Sequence, residues 1–198
     1  MTTATEYRRE AAPRDVSPVR PHRWTRAAYD RMIEAGVFRP EDRVQLIDGE
    51  IVAMRPQGSQ HATTIRLVEE ALRAAFGDGY DVRPQLPLAL GDFSEPGPDV
   101  AVVQGTPRDY VDAHPSEALL VVEVADATLR LDRTEKLRLY ALHGMPEYWI
   151  VNLIDRVLEV HREPIGEAYR LKTSHAAGEA VAPAARPGAS IPVADLLP

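Results

Sequence analysis

The sequence predicts a domain of the α/β or α+β class, in which a mixed β-sheet is flanked by helices. Helix-like and strand-like segments alternate along a chain whose 198 residues are the size of one ordinary domain. The dipeptide Asp48-Gly49 separates two alternating apolar runs, 44–47 and 51–54, which is typical of an antiparallel hairpin. The string LLVVEVA (119–125) is almost continuously apolar, which is typical of a strand at the centre of a sheet.

Two helices are predicted in the first half of the chain. Residues 25–36 have helical spacing, with Thr25 as the cap and Gly36 at the end. After the hairpin, a second helix begins at Ser59, because apolar residues recur at helical spacing as far as Phe76. The Gly-Asp-Gly sequence that follows ends this helix.

Strands dominate the second half of the chain, with candidates at 80–83, 85–90, 99–103 and 119–125. Pro84 separates the first two candidates, and Pro98 marks the entry to the third. A third helix is predicted from Asp132 to Gly144, because Asp132 and Glu135 have capping-box spacing. Residues 147–151 and 157–161 then form a closing hairpin.

We expect both termini to lie outside the core. Residues 1–22 are rich in Pro and Arg and predict a flexible tail, whereas residues 23–175 contain all the periodic segments and predict the core domain. Residues 176–198 are rich in Ala and Pro with weak periodicity, which indicates a peripheral extension.

Composition excludes several classes of protein. The absence of cysteine excludes disulfide scaffolds, thiolate metal sites and cysteine nucleophiles. The net charge of −7 argues against a protein that coats nucleic acid through a basic surface. No apolar run approaches the roughly 20 residues of a membrane-spanning helix, and no secretory signal is evident, so we expect a cytoplasmic protein. The phosphate-binding, zinc-protease and serine-hydrolase motifs are also absent.

Two carboxylates are the first candidates for chemistry. Glu123 interrupts the most apolar strand, where a buried carboxylate must be paired with a cation or coordinate a metal. A structural ion pair and a functional carboxylate both remain open for it. Asp99 follows Pro98 and would alone be a strand-entry residue. If the two strands are neighbours, both carboxylates can converge, as the ligands of hard divalent cations such as Mg²⁺ do.

Lys136 is the third candidate. It lies four residues after Asp132, so a helical ion pair between the two is one interpretation. The chain has 21 arginines and only two lysines, Lys136 and Lys172. Because the pKa of an ammonium group can fall on burial whereas guanidinium stays protonated, a site that needs an adjustable proton holder would retain lysine.

Together these residues resemble a nuclease motif. The order Pro98-Asp99, Glu123 and a displaced Lys136 is similar to that of the PD-(D/E)xK nuclease superfamily. Over residues 25–175, the chain more specifically resembles the Uma-two family of restriction-endonuclease-like proteins. This resemblance is carried by LIDGE (46–50), PQGSQHA (56–62), SEPGPDVAVV (94–103), LLVVEVAD (119–126), DRTEKLRLYALHGMPEYWIVN (132–152) and VLEVHREP (157–164).

The resemblance implies a restriction-endonuclease-like fold and a metal-dependent phosphodiesterase. Asp99 and Glu123 would hold Mg²⁺ or Mn²⁺, joined by the carbonyl of Val124. Lys136 would orient or deprotonate the attacking water. The superfamily usually places this lysine two residues after the acid, where this chain has Ala125, and the Uma-two pattern moves it to the helix.

Four further residues are accessory candidates. His61 matches a family position and would contact metal or phosphate, although a capping or solvated histidine is the alternative. Gln45 stands where relatives have glutamate, and its amide cannot supply an anionic ligand. Glu50 and Gln85 are lesser candidates, for which hairpin and strand surface are the alternatives.

These observations predict a Mg²⁺-dependent endonuclease that acts on DNA, as a homodimer if it cuts both strands of a duplex. Gln45 and the acidic surface favour an alternative, a weak or inactive nuclease-fold module that binds nucleic acid or protein. A glycosidase that uses the two carboxylates is the weakest hypothesis, because aromatic content is only 6% and Lys136 would have no role.

Overall fold

The computed structural model describes residues 21–39, 41–54 and 56–198. The tail predicted for residues 1–22 therefore lies outside the described residues, apart from its last two positions. The helices are α1 (Arg26–Glu34), α2 (Ser59–Phe76), α3 (Leu129–Leu131) and α4 (Leu137–Leu142). The strands are β1 (Val44–Ile47), β2 (Glu50–Ala53), β3 (Tyr80–Pro84), β4 (Val100–Gln104), β5 (Leu120–Ala125), β6 (Glu147–Asn152), β7 (Val157–Ile165), β8 (Ala168–Ala176), β9 (Ala180–Val181) and β10 (Ile191–Pro192).

A six-stranded mixed sheet in the order β3-β4-β5-β6-β7-β8 forms the centre of the fold. The strands β5 and β6 pair in parallel, and every other neighbouring pair in this sheet is antiparallel. The prediction that residues 119–125 form a central strand is confirmed, because β5 has two strands on one side and three on the other. The predicted α+β class is confirmed as well.

The hairpin β1–β2 forms a separate two-stranded sheet, as the Asp48-Gly49 signal predicts. Both turn residues have positive φ, 50° at Asp48 and 83° at Gly49, which is the conformation of a type I′ turn. Two backbone hydrogen bonds join this hairpin to residues 93–95: the Glu95 N–H donates to the carbonyl of Leu46, and the Gly49 N–H donates to the carbonyl of Phe93. The hairpin is thereby held against the loop that leads to β4.

The sheet separates two apolar clusters, because alternate residues of a strand face opposite sides. The α2 side is filled by side chains that include Val68, Leu72, Phe76, Val100, Val122 and Trp149. The opposite side is covered by α4 and includes Val121, Leu139, Tyr140, Tyr148 and Ile150. Glu123 lies on the strand between Val121 and Ala125, so its side chain faces the α4 side.

Two predicted elements differ from the structure. Residues 85–90 do not form a strand, because Gln85 takes a positive φ of 55° and turns the chain out of β3. The third helix begins at Leu129 rather than at Asp132, and residues Asp132–Lys136 form a π-helical turn within it. Asp132 is therefore inside a helical segment and does not cap it.

The C-terminal segment contributes to the core. The sequence predicts a peripheral extension at residues 176–198, but their apolar side chains pack in the same cluster as those of α2: Val181, Ile191, Val193, Leu196 and Leu197. Among the described residues, no helix combines the length and the apolar character that crossing a bilayer requires.

Candidate active site

Asp99 and Glu123 are neighbours across two adjacent strands. The antiparallel register places Val100 opposite Val122, and one further step brings Asp99 opposite Glu123. The Val124 N–H donates a hydrogen bond of 2.8 Å to Asp99 Oδ2, which fixes that carboxylate at the start of β4. Both side chains are buried, with relative exposures of 7% for Asp99 and 1% for Glu123. The expected convergence of the two carboxylates is thus present in the structure.

Lys136 lies against Glu123. Its Nζ is 2.8 Å from Glu123 Oε2 and 3.6 Å from Asp132 Oδ1, and its side chain is only 10% exposed. The Tyr140 hydroxyl donates a 2.7 Å hydrogen bond to the other Glu123 oxygen, Oε1. Both oxygens of Glu123 are therefore held by residues of one helical segment, residues 129–142.

The π-helical turn Asp132–Lys136 positions this helical segment over the sheet. Such turns are rare and are found frequently at functional sites. Asp132 Oδ2 accepts a 2.6 Å hydrogen bond from the Thr128 hydroxyl, and the Tyr148 hydroxyl donates to the Asp132 carbonyl at 3.0 Å. Asp132 Oδ1 is buried without a hydrogen-bond partner. The turn thus brings a third carboxylate close to Lys136.

His61, the third residue of α2, reaches the same cluster. Its Nε2 is 3.1 Å from Asp99 Oδ1. Burial lowers the pKa of His61, but the hydrogen bond and charge of Asp99, with the charges of Asp126 and Glu123, raise it above its ordinary value overall. The side chain is buried, so a solvated surface histidine is excluded.

The remaining sequence candidates lie at different distances from the cluster. Gln45 lines the same cavity, and its Oε1 accepts a 3.2 Å hydrogen bond from Gly97 N–H. Gln85 lies one strand away, and its N–H donates to the Asp99 carbonyl at 3.0 Å. Glu50 is exposed at the start of β2 and does not line the cavity.

These side chains surround a cavity of about 390 Å³, lined among others by Gln45, His61, Asp99, Glu123, Asp126 and Lys136. A shallower depression lined by Thr128, Arg130 and Leu131 adjoins it. The two therefore meet at the beginning of the helical segment, where both are lined by Thr128 and Leu131.

The cluster contains more carboxyl groups than ammonium groups. Burial raises the pKa of Glu123 to about 8; Lys136 lowers this pKa, while Asp99 and Asp132 raise it further. Burial likewise raises the pKa of Asp132. Burial lowers the pKa of Lys136, but the three carboxylates raise it above its ordinary value overall. Since one ammonium group does not balance three carboxylates, the cluster favours a bound proton or an additional cation.

The site contains two neighbouring carboxylates, those of Asp99 and Glu123. In the part of the chain that the structure describes, no group of three or more His, Asp or Glu side chains is arranged to hold a metal ion. Mg²⁺ is usually held by one or two carboxylates, with waters and substrate phosphates completing its coordination. Asp99 and Glu123 are such a pair of carboxylates.

Two residues of this site were not singled out from the sequence. These two residues are Tyr140 and Asp126. The spacing of four residues between Lys136 and Tyr140 places both on one helical face and could have identified the tyrosine. Asp126 directly follows β5, but its sequence position gives no sign that it lines the cavity.

Comparisons with known proteins agree with this fold. Five chains of solved structure match. One is a putative nuclease belonging to DUF820 from Anabaena variabilis, which is 15% identical, with a TM-score of 0.67 over 84% of this chain and 95% of that chain. At this level of identity the similarity shows the fold alone. A search of curated proteins finds no match.

A family model described as "Putative restriction endonuclease" matches residues 26–194, which is most of the chain. The match includes β4, β5 and the helical segment that carries Lys136, and it extends beyond the predicted core into the C-terminal segment. The predicted resemblance is thereby confirmed, and the chain belongs to the Uma2 family.

Proposed function

We propose that this protein is a divalent-metal-dependent endonuclease that hydrolyses phosphodiester bonds in DNA. One observation carries the proposal: two buried carboxylates on neighbouring strands, Asp99 and Glu123, lie in one cavity with Lys136 Nζ 2.8 Å from Glu123. Carboxylates that converge beside an amine are the groups that phosphodiester hydrolysis requires, namely metal ligands and a group that orients the attacking water.

Asp99 and Glu123 would hold Mg²⁺ or Mn²⁺, and the Val124 carbonyl would join them. In an extended strand the N–H and C=O of one residue point to the same side, and the Val124 N–H already points to Asp99. A metal bound there would lower the pKa of a bound water and stabilise charge on the phosphoryl oxygens.

The other side chains position these groups. Tyr140 holds Glu123, and His61 holds Asp99 and is available to a phosphate oxygen. Lys136 would orient the attacking water as an ammonium group, since the surrounding carboxylates raise its pKa, with Asp132 as a second carboxylate beside it. The chain's own residues thus account for binding and orientation.

The oligomeric state and the cellular compartment are part of the same proposal. A homodimer would supply the two sites that cleavage of both strands of a duplex needs. The absence of cysteine fits a reducing compartment such as the cytoplasm.

Cleavage of supercoiled plasmid in Mg²⁺ or Mn²⁺ tests the proposal. The wild-type protein should nick the plasmid, and Glu123→Gln, which keeps the shape but removes the charge, should reduce the rate by at least about 100-fold. Glu117→Gln is the matched control, because Glu117 is an exposed carboxylate in the segment before β5 and outside the cavity. Metal-dependent cleavage that persists in Glu123→Gln would refute the assignment.

The alternative, a weak or inactive nuclease-fold module, is favoured by one feature of the site. Lys136 and Tyr140 together engage both oxygens of Glu123, so protein side chains already satisfy this carboxylate. The two functions differ in metal binding, because a ligand that binds only the folded state at 100 times its Kd stabilises it by about 2.7 kcal/mol. An unchanged Tm in millimolar Mn²⁺ would favour the inactive module.

A further inference from the structure

A second cavity, of about 480 Å³, lies between α1 and the β1–β2 hairpin and adjoins the carboxylate cavity. Three residues line both cavities: Gln45, Met54 and Gly97. The hydrogen bond from Gly97 N–H to Gln45 Oε1 joins two of these residues and forms part of the boundary. A ligand group in the second cavity would therefore be adjacent to a phosphate bound at Asp99 and Glu123.

Gln85 is the most unusual residue of this second cavity. Its φ of 55° is in the left-handed region, which is unfavourable for a residue with a long side chain. Its side-chain nitrogen, Nε2, is buried and has no hydrogen-bond partner in the described structure. Backbone strain of this kind is concentrated at functional sites. Gln85 lines the cavity, and a hydrogen-bond acceptor on a ligand that reaches this nitrogen would satisfy it.

The rest of the lining combines a carboxylate with an apolar wall. Glu95 is 8% exposed, and its nearest cation, Arg26 Nε, lies at 3.7 Å, which is longer than a hydrogen bond. Tyr29, Ile33 and Phe38 form the apolar wall, and the Tyr29 and Phe38 rings are 5.8 Å apart. The cavity thus offers an amide donor, a carboxylate acceptor and aromatic surface.

We propose that this second cavity binds an unpaired nucleobase of the nucleic-acid strand that is cleaved, an inference that rests on the proposed function. A base edge carries hydrogen-bond acceptors, which would pair with the amide nitrogen of Gln85, and N–H donors, which would pair with the carboxylate of Glu95. The faces of the base would pack against the aromatic side chains. In a duplex the Watson–Crick edge is already paired, so the base must come from a single strand or leave the helix. The preferred substrate is therefore unpaired at the base next to the scissile phosphate.

Binding of fluorescein-labelled 12-nucleotide single-stranded DNA, measured by anisotropy in Ca²⁺, a hard cation that carboxylates bind, tests this inference. An oligonucleotide with abasic residues should bind the wild-type protein at least about tenfold more weakly, because the stacking and base-edge contacts are lost. Gln85→Gly should weaken binding of the ordinary oligonucleotide by about fivefold, the effect of one hydrogen bond. Gln104→Ala is the matched control, because this glutamine lies at the opposite end of β4, and it should bind as the wild type does.

The glycine variant also separates function from folding. Glycine tolerates a φ of 55°, so Gln85→Gly should keep or raise the Tm while it loses affinity. If this variant does not fold, Gln85→Asn serves instead, because asparagine tolerates the left-handed region and withdraws the amide by one methylene. It should weaken binding in the same way.

Three results would overturn the inference: no binding of single-stranded DNA by the wild type, equal binding of the abasic oligonucleotide, or wild-type affinity in the Gln85 variant. The plasmid assay tests the nuclease activity independently of the base cavity. A protein that cleaves plasmid but binds equally well without Gln85 loses only the base cavity. A protein that cleaves nothing but requires Gln85 for binding keeps the cavity and loses the nuclease assignment.

Discussion

Lys136 and Lys172 are the only lysines of the chain, and each lies 2.8 Å from the carboxylate of a buried glutamate. Lys136 is 10% exposed and lines the carboxylate cavity beside Glu123. Lys172 is 52% exposed on β8 and contacts Glu159, whose carboxylate also accepts hydrogen bonds from Arg133 and Asn152. Each lysine thus contacts a buried glutamate, but Lys136 lies in the cavity and Lys172 lies on an exposed strand.

This pair gives a matched test of the role of Lys136. Lys136→Met should reduce plasmid cleavage by at least about 100-fold, because it removes the group that orients the water. Lys172→Met removes an equivalent contact outside the cavity and should leave the cleavage rate unchanged. Both variants are compared by initial rates in Mg²⁺, with Tm as the check on folding. Equal losses in the two variants would show that Lys136 acts only through stability.

At the level of residues, the sequence predicts the members of the cluster but not their partners. Asp99 and Glu123 can be recognised because a carboxylate is costly in an apolar strand. The contact between Tyr140 and Glu123 cannot be predicted in the same way, since tyrosine is common on the buried face of a helix. Gln85 is similar: its positive φ and its unpaired nitrogen depend on the path of the chain after Pro84, which composition does not encode.

The helical segment from Leu129 to Leu142 shows how an element differs from its pattern. The Asp132 and Glu135 spacing resembles a cap, but Asp132 is buried and bonded to Thr128, one turn earlier. The π-helical turn adds a residue to the local repeat, so a search for regular helical spacing does not detect it. Tertiary contacts of Asp132 with Tyr148 and Lys136 decide its position instead.

Two other elements could not be assigned from periodicity. Strand β8 is exposed over almost its whole length, so it lacks the alternation of a strand with one buried face. The C-terminal segment has only short strands and a short turn, so its apolar residues are too dispersed to show a period. Its contribution to the core depends on packing against α2.

The C-terminal segment should therefore matter for stability. Leu196 is fully buried, and Leu196→Ala should reduce the free energy of unfolding by about 2–5 kcal/mol, through lost burial and the cavity that remains. The control Ile165→Ala removes a side chain that is 65% exposed and should change it by less than about 0.5 kcal/mol. Urea denaturation of both variants measures the difference. A peripheral segment would instead give the same small effect at both positions.

For the whole molecule, the sequence predicts the architecture well because several independent signals agree. The Asp-Gly turn, the amphipathic helix after Ser59 and the apolar strand at 119–125 each occur where the structure has them. A net charge of −7 also distinguishes this protein from one that binds nucleic acid by charge alone. We therefore attribute binding to a local site, in which a cation would offset the repulsion between the carboxylate cluster and a phosphate.

Anomalous diffraction from crystals soaked in Mn²⁺ tests this central claim most directly. We expect a single strong peak within about 2.5 Å of carboxylate oxygens of both Asp99 and Glu123, and its absence in crystals of Glu123→Gln. A Mn²⁺-saturated crystal that shows no peak between these carboxylates, or a peak only elsewhere, would contradict the account.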